Sequence, residues 1–231
     1  MDNTVCEMLK FACLSYDNIQ PYESGAITLS IDDCVSGIQL VARIYSSAVV
    51  LAFRGSDSLK DAVTDAKFWK RKVPYDKCSN CIRVHTGFIK SYTTPHLRNE
   101  ILKLISPEIR EIKITGHSLG AALAALCAVD LQGHFPDRDY EVYLFGCPRI
   151  GNSLFSKVYT SKILKTFRIE NGNDIVTKLP PAILGYRHVG IKIHTGKKRI
   201  PFVYSVKDHG IKAYIENVVC PSDDIRIKIG I

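Results

Sequence analysis

No stretch of the 231-residue sequence stays apolar for the ~18–20 residues that a helix needs to cross a bilayer. The longest candidate, AVVLAF at 48–53, has the length of a strand. The opening residues, MDNTVCEMLKFACLSYDN, lack both the basic region and the apolar region of a secretory signal. The expectation is therefore a chain with no transmembrane segment, cytoplasmic or otherwise intracellular. Repeats, low-complexity tracts and recognisable linkers are also missing, which favours a single domain over residues 1–231. Acidic residues are in the minority, 23 against 31 Lys and Arg, for a net charge of +8. Such a balance favours anionic partners: nucleic acid, anionic lipid or an acidic protein. No arginine-rich arm or aromatic RNA-binding signature accompanies it, so a nucleic-acid partner rests on charge alone and is not expected.

What is present is a globular composition, 46% hydrophobic and 23% charged, long enough to bury a sizeable core. Eight cysteines stand at 6, 13, 34, 78, 81, 127, 147 and 220. Without a signal peptide, free thiols are the default. Cys78 and Cys81 form one C-x-x-C with His85 close by, but no second ligand pair follows at zinc spacing. Two plain thiols or a labile disulfide is the reading there, and no metal is expected.

Residues 4–17 carry Val5, Met8, Leu9, Ala12 and Tyr16 on one helical face. AITLSI and IQLVARIY read as strands, and SAVVLAFRG as a nearly continuous apolar strand of the kind covered on both faces. A weak helical period runs through 58–69. The stretch 86–105 looks helical, with Pro95 marking a kink or restart. Strand 111–115, helix 119–132, strand 140–146, helix 152–161 and strand 163–169 follow. Residues 186–194 alternate like a strand, 209–219 form an amphipathic helix, and the terminal IRIKIGI alternates again. The alternation of strand and helix from 47 to 169 predicts an α/β fold: a mostly parallel central sheet flanked by helices.

The sequence EIKITGHSLGAALAALCAVDL, residues 111–131, places Ser118 between Gly116 and Gly120. A G-x-S-x-G arises by chance in roughly 8% of chains this long, so the pentapeptide alone decides little. Its setting adds weight: a strand ends at Gly116 and a helix apolar nearly all round begins at once. This is the sharp strand-to-helix turn that exposes a nucleophilic serine. The alternative is a glycine-bounded turn with an ordinary serine. A serine hydroxyl needs a base, and the base needs an orienting acid. In the α/β-hydrolase order the acid and then the histidine follow the serine. Asp174 falls just past the end of strand ILKTFRI, where catalytic groups of open α/β sheets collect. Of the histidines after Ser118, His134 precedes every plausible acid. His188 lies inside an alternating run and reads as a structural strand residue. His194 ends that run and stays a candidate. His209 sits on a loop entering a helix, well placed to aim a ring into a cleft. Asp208 adjoins it and reads as a local cap or loop residue. Oxyanion donors would be the backbone of Leu119 and of Ser56, the latter on the loop after SAVVLAFRG.

In order, VVLAFRGS, VHTGF, ITGHSLGAALA, LFGCPRIGN, FRIENGNDIVTKLPP, YRHVG and DHGIKAYI resemble the class 3 (fungal-type) lipase family of α/β-hydrolases, over roughly residues 44–219. The resemblance implies Ser118 as nucleophile, Asp174 as acid, His209 as base, Ser56 and Leu119 as the oxyanion hole, and Asp65 as a support for the Ser56 side chain. It implies no cofactor and a lipid ester as substrate: acylglycerols or phospholipids. Where the family has Gly-Gly after the nucleophile's leucine, Ala121 takes the second place. Fungal members carry a helical lid after Ser56; here the segment reads DSLKDAVTDAKFWKRK. Phe68 and Trp69 could anchor in lipid with Lys67, Lys70, Arg71 and Lys72 on anionic head groups, or they could be buried aromatics at a solvated helix end. A lipase-like scaffold that binds without hydrolysing is the alternative function.

Overall fold

The computed structural model describes residues 3–17, 23–55, 69–73 and 81–220. The expected helix at 58–69, save Trp69, and the terminal IRIKIGI lie outside the described residues, as do Ser56, Asp65 and Cys78.

The centre is a seven-stranded sheet. Its strands are β1 (Ile27–Asp33), β2 (Ile38–Ile44), β3 (Ala48–Phe53), β6 (Glu111–His117), β7 (Asp139–Phe145), β8 (Lys165–Asn171) and β9 (Ile191–Thr195), in that spatial order. Strands β1, β2 and β3 pair antiparallel, and from β3 to β9 every neighbour is parallel. The residues that read as continuous apolar runs are the ones buried from both sides: Val49 to Phe53 in β3 and Val142 to Phe145 in β7. Two strands outside the sheet, β4 (Lys70–Lys72) and β5 (Arg83–His85), form an antiparallel pair.

Each face of the sheet has its own core. On one side lie α2 (Thr86–Tyr92), α3 (Pro95–Lys103), α4 (Leu119–His134) and α5 (Ser153–Lys162). The expected break at Pro95 is the gap between α2 and α3, with proline in the first turn of α3, where its missing N–H costs nothing. Helix α4 is buried continuously from Gly120 to Leu131, which its uniform apolar sequence demands. Its Asp130 is buried too, and satisfied by Arg98 at 2.7 Å and the Tyr92 hydroxyl at 2.9 Å. On the other face, α1 (Asn3–Leu14) and α6 (Ile211–Asn217) pack against Val50, Ala52, Tyr143, Phe145 and Ile169. Met8 and Leu9 of α1 are fully buried, as the helical face predicts.

Three expectations fail locally. The strand predicted at 186–194 is ordered as β9 only from Ile191; before that, Arg187 bridges to Gly151 instead, its N–H donating to the Gly151 carbonyl at 2.7 Å. The basic run 70–72 is a strand and not a helix end, and Trp69 is 73% exposed, so it is not a buried aromatic. Finally, Cys6 and Cys220 are joined by a disulfide across 214 residues of sequence, so free thiols do not hold for that pair. Cys13, Cys127 and Cys147 are buried thiols.

Candidate active site

Ser118 stands between the last residue of β6 and the first of α4, at φ 59° and ψ −124°. A non-glycine residue there is strained, and costs of order 1–3 kcal/mol are typical. The turn survives because its surroundings leave no alternative. A Cβ on Gly116 would come within 2.5 Å of the Gly120 backbone, and a Cβ on Gly120 within 2.2 Å of the Phe53 carbonyl oxygen. Both glycines are therefore required for α4 to leave the sheet so abruptly. The Ser118 N–H donates to the Phe145 carbonyl at 2.9 Å, tying the turn to the end of β7. Leu119 is the first residue of α4, and the leading N–H groups of a helix have no partner within it.

Asp174 lies beyond the end of β8, as its position in the sequence predicts, and is 1% exposed. His209 closes a short 3-10 turn, Lys207–His209, just before α6, and is fully buried. The two meet: His209 Nδ1 is 2.9 Å from each Asp174 carboxylate oxygen. A carboxylate only accepts, so Nδ1 carries the proton and Nε2 offers a lone pair. That Nε2 is buried and has no hydrogen-bond partner among the described residues. Asp174 also accepts from the Val176 N–H at 2.8 Å and from the Tyr214 hydroxyl at 2.6 Å. Tyr214 projects from α6, and its oxygen accepts the Asn171 N–H at 3.2 Å. Burial, with the charge and hydrogen bond of Asp174, raises the Tyr214 pKa well above that of a free phenol, so it stays a donor.

The serine turn and the Asp–His pair share neighbours. The His117 ring, next to Ser118, lies 4.6 Å from the His209 ring between centroids. His117 Nε2 is 2.7 Å from the His209 carbonyl oxygen, and its Nδ1 is 2.9 Å from the Tyr16 hydroxyl of the segment after α1. The geometry fits a neutral imidazole that donates from Nε2 and accepts at Nδ1. Burial first, and then the neighbouring His209 imidazole, push the His117 pKa down to about 3, in keeping with that. Gly146, which follows Phe145 at φ 60°, lies under the His209 ring: a Cβ there would be 2.9 Å from the ring's Cε1 and 3.1 Å from Asp174 Oδ2.

The other histidines and acids have different work. His188 is not in a strand; its Nε2 donates to the Thr177 carbonyl at 2.8 Å. Burial, then the charges of Arg168 and Arg149, lower its pKa to about 3. It flanks Glu170, a buried carboxylate that pairs with Arg168 and with Lys178 at 2.9 Å. Burial opposes ionisation of Glu170, but Arg168, Lys178 and Lys192 hold its pKa at about 2. His194 is exposed on β9, its Nε2 2.9 Å from the Lys197 carbonyl oxygen. His134 ends α4 and bonds the Asp130 carbonyl. Asp208, read as a local loop residue, reaches further: its carboxylate accepts the Asn173 N–H at 2.8 Å and so braces the loop of Asp174 against the turn of His209. The supporting roles of His117, Gly146 and Tyr214 were not found from sequence. Only the GHSLG and DHGIKAYI patterns hinted that their neighbours mattered.

No helix among the described residues is long and apolar enough to cross a membrane. A family model described as Lipase (class 3) matches residues 50–184. The chain is 36% identical over 191 residues to the secreted mono- and diacylglycerol lipase A of Penicillium cyclopium, covering 78% of this chain and 60% of that protein. It is 29% identical over 186 residues to the secreted mono- and diacylglycerol lipase 1 of Fusarium solani, covering 78% of this chain and 54% of the relative. The chain thus spans little more than half the length of these proteins. A solved structure of Rhizomucor miehei triacylglyceride lipase superposes with a TM-score of 0.77 at 23% identity, covering 90% of this chain and 92% of that one. The fold is the α/β-hydrolase fold, with the mostly parallel sheet flanked by helices that the sequence predicts. The expectation of an intracellular protein is corrected: these relatives are named as secreted, which points outside the cell. The Cys6–Cys220 bond agrees, since disulfides persist in oxidising compartments.

Proposed function

The chain belongs to the class 3 lipase family, and from that premise we propose that it is a serine esterase acting on carboxylic ester bonds of lipids, acylglycerols or phospholipids, outside the cell. Ser118 is the nucleophile, His209 the base and Asp174 the orienting acid. The observation that carries the reading is the buried Asp174–His209 pair, with the proton on Nδ1 and an Nε2 unpartnered among the described residues, its imidazole 4.6 Å from the ring of His117, the residue before a serine held at positive φ on a helix N-terminus.

In this mechanism Nε2 accepts the Ser118 proton as Oγ attacks the ester carbonyl. Asp174 keeps the imidazole in the productive tautomer and stabilises the imidazolium. Its own lone pairs are occupied by Val176 and Tyr214, which keep it from rotating. The oxyanion forms at the N-terminus of α4 and takes the Leu119 N–H, with Ser56 as the second donor. One such donor is worth about 3 kcal/mol in the transition state, and the helix end adds a favourable field. His209 then protonates the leaving alcohol, and water, activated by the same base, hydrolyses the acyl-enzyme. His209 Nε2 has no other hydrogen-bond partner among the described residues and so is left to take the Ser118 hydroxyl. The exposed Trp69 beside the basic strand Lys70–Lys72 favours peripheral contact with an anionic lipid surface over a buried role.

A fluorophosphonate probe tests the assignment. The native chain labels covalently and Ser118→Ala does not. Failure of the native protein to label would instead favour a lipase-like scaffold without hydrolysis.

A further inference from the structure

The segment from Lys197 to Lys207 leads directly into the turn that carries His209. It contains four cations, Lys197, Lys198, Arg199 and Lys207, and no carboxylate. Between them runs IPFVYSV, and five of its residues, Ile200, Phe202, Val203, Tyr204 and Val206, are exposed. At the tip Phe202 is 91% exposed and sits at φ 61° after Pro201. Glycine or asparagine is the residue that such a turn position favours, and a bulky aromatic there is strained. In water the sequence thus accepts a strained backbone to display a phenyl ring that no described residue covers.

The base of the segment is rigid. The Ile200 N–H donates to the Asn173 side chain at 3.0 Å, the Ser205 N–H to the Asn173 carbonyl at 2.9 Å, and the Ile175 N–H to the Ser205 carbonyl at 3.2 Å. Arg199 comes within 3.9 Å of the buried Glu170. The loop is therefore clamped on both sides of Asp174, with its apolar tip facing outward and lysines at its rim.

We propose that residues 197–207 are a docking loop for a lipid surface bearing anionic head groups, which seats the membrane edge beside His209. Phe202 and its apolar neighbours enter the acyl boundary, and Lys197 and Lys198 pair with head groups. The proposal rests on the lipid esterase reading, because that reading gives the chain a reason to reach a bilayer or droplet.

The test uses the full chain carrying Ser118→Ala, so that vesicles are not consumed. Co-sedimentation is measured with vesicles of phosphatidylcholine and of phosphatidylcholine mixed with phosphatidylglycerol. The expected result is preferential binding to the anionic vesicles. Phe202→Asn, a residue that tolerates positive φ, weakens binding about tenfold and leaves the thermal midpoint unchanged or higher. Lys197→Gln with Lys198→Gln weakens binding to anionic vesicles roughly thirtyfold and removes the preference. With Ser118 restored, both variants keep turnover of a monomeric short-chain ester. Variants that are folded by circular dichroism and bind as the parent does would overturn the proposal, as would a parent that sediments no more with anionic vesicles than without them. The esterase reading fails separately: a native chain that docks but never labels with fluorophosphonate would refute hydrolysis and leave the loop standing.

Discussion

Asp174→Asn isolates the electrostatic half of the proposed mechanism. Three donors converge on the two oxygens of Asp174: His209 Nδ1–H, the Val176 N–H and the Tyr214 O–H. An amide has one acceptor oxygen and one NH2, so three donors can no longer all be matched. The oxygen can keep Val176, whose backbone cannot move. The NH2 then faces the imidazole and Tyr214, and the cheapest relief is for His209 to give up its Nδ1 proton and carry it on Nε2. The base then points a donor at Ser118. A wrong tautomer of this kind costs about 10⁴ in kcat, or about 5 kcal/mol in the barrier at 1.36 kcal/mol per tenfold. Stability changes less, because only one buried donor is left mismatched, at about 1–3 kcal/mol. The assay is pre-steady-state acylation with a p-nitrophenyl ester, beside a urea titration of the same protein. A variant that acylates within about tenfold of the native rate would refute both the tautomer argument and the role of Asp174.

Gly146→Ala puts a methyl 2.9 Å from His209 Cε1 at a φ of 60°, so the ring must shift; kcat falls by about 10² with KM little changed, read by steady-state kinetics on a soluble ester. His117 and His188 are held neutral with pKa values near 3, below the 6.5 of an unfolded histidine. The unfolded chain binds more protons in that window, so stability falls as pH drops from about 6.5. Urea midpoints at pH 7.0 and 5.5 should show the loss, and His188→Gln should flatten it. This interval lies above the range where Glu170, held at about 2, begins to protonate in the unfolded chain. Reducing Cys6–Cys220 removes a 214-residue cross-link, worth up to about 5 kcal/mol in the chain-entropy account, and dithiothreitol should lower the urea midpoint accordingly.

The strand-to-helix turn at Ser118 was legible because two constraints coincide in one short stretch: glycines where backbones nearly touch, and a helix too apolar to face water. Asp174 was legible from topology, since the loop after a parallel strand is where a sheet presents its groups. His209 was singled out by its place at a helix entrance and by the family resemblance of DHGIKAYI, since its ring has no local pattern of its own. Tyr214 and Gly146 act through contacts made after folding, one across 40 residues to Asp174 and one beneath an imidazole, and no periodicity encodes either. The run 186–194 alternates correctly for a strand, but its first half is drawn to Gly151 by pairing that alternation cannot foresee. The Cys6–Cys220 bond is equally hidden, because the partners meet only once α1 and α6 have packed on the same face of the sheet.

That bond turns almost the whole backbone into a covalent ring. A protease that nicks any loop between Cys6 and Cys220 opens the circle without releasing a fragment. For an enzyme proposed to work outside the cell, a first cut leaves one molecule whose halves are still tethered, and two clips are needed before a piece can drift away.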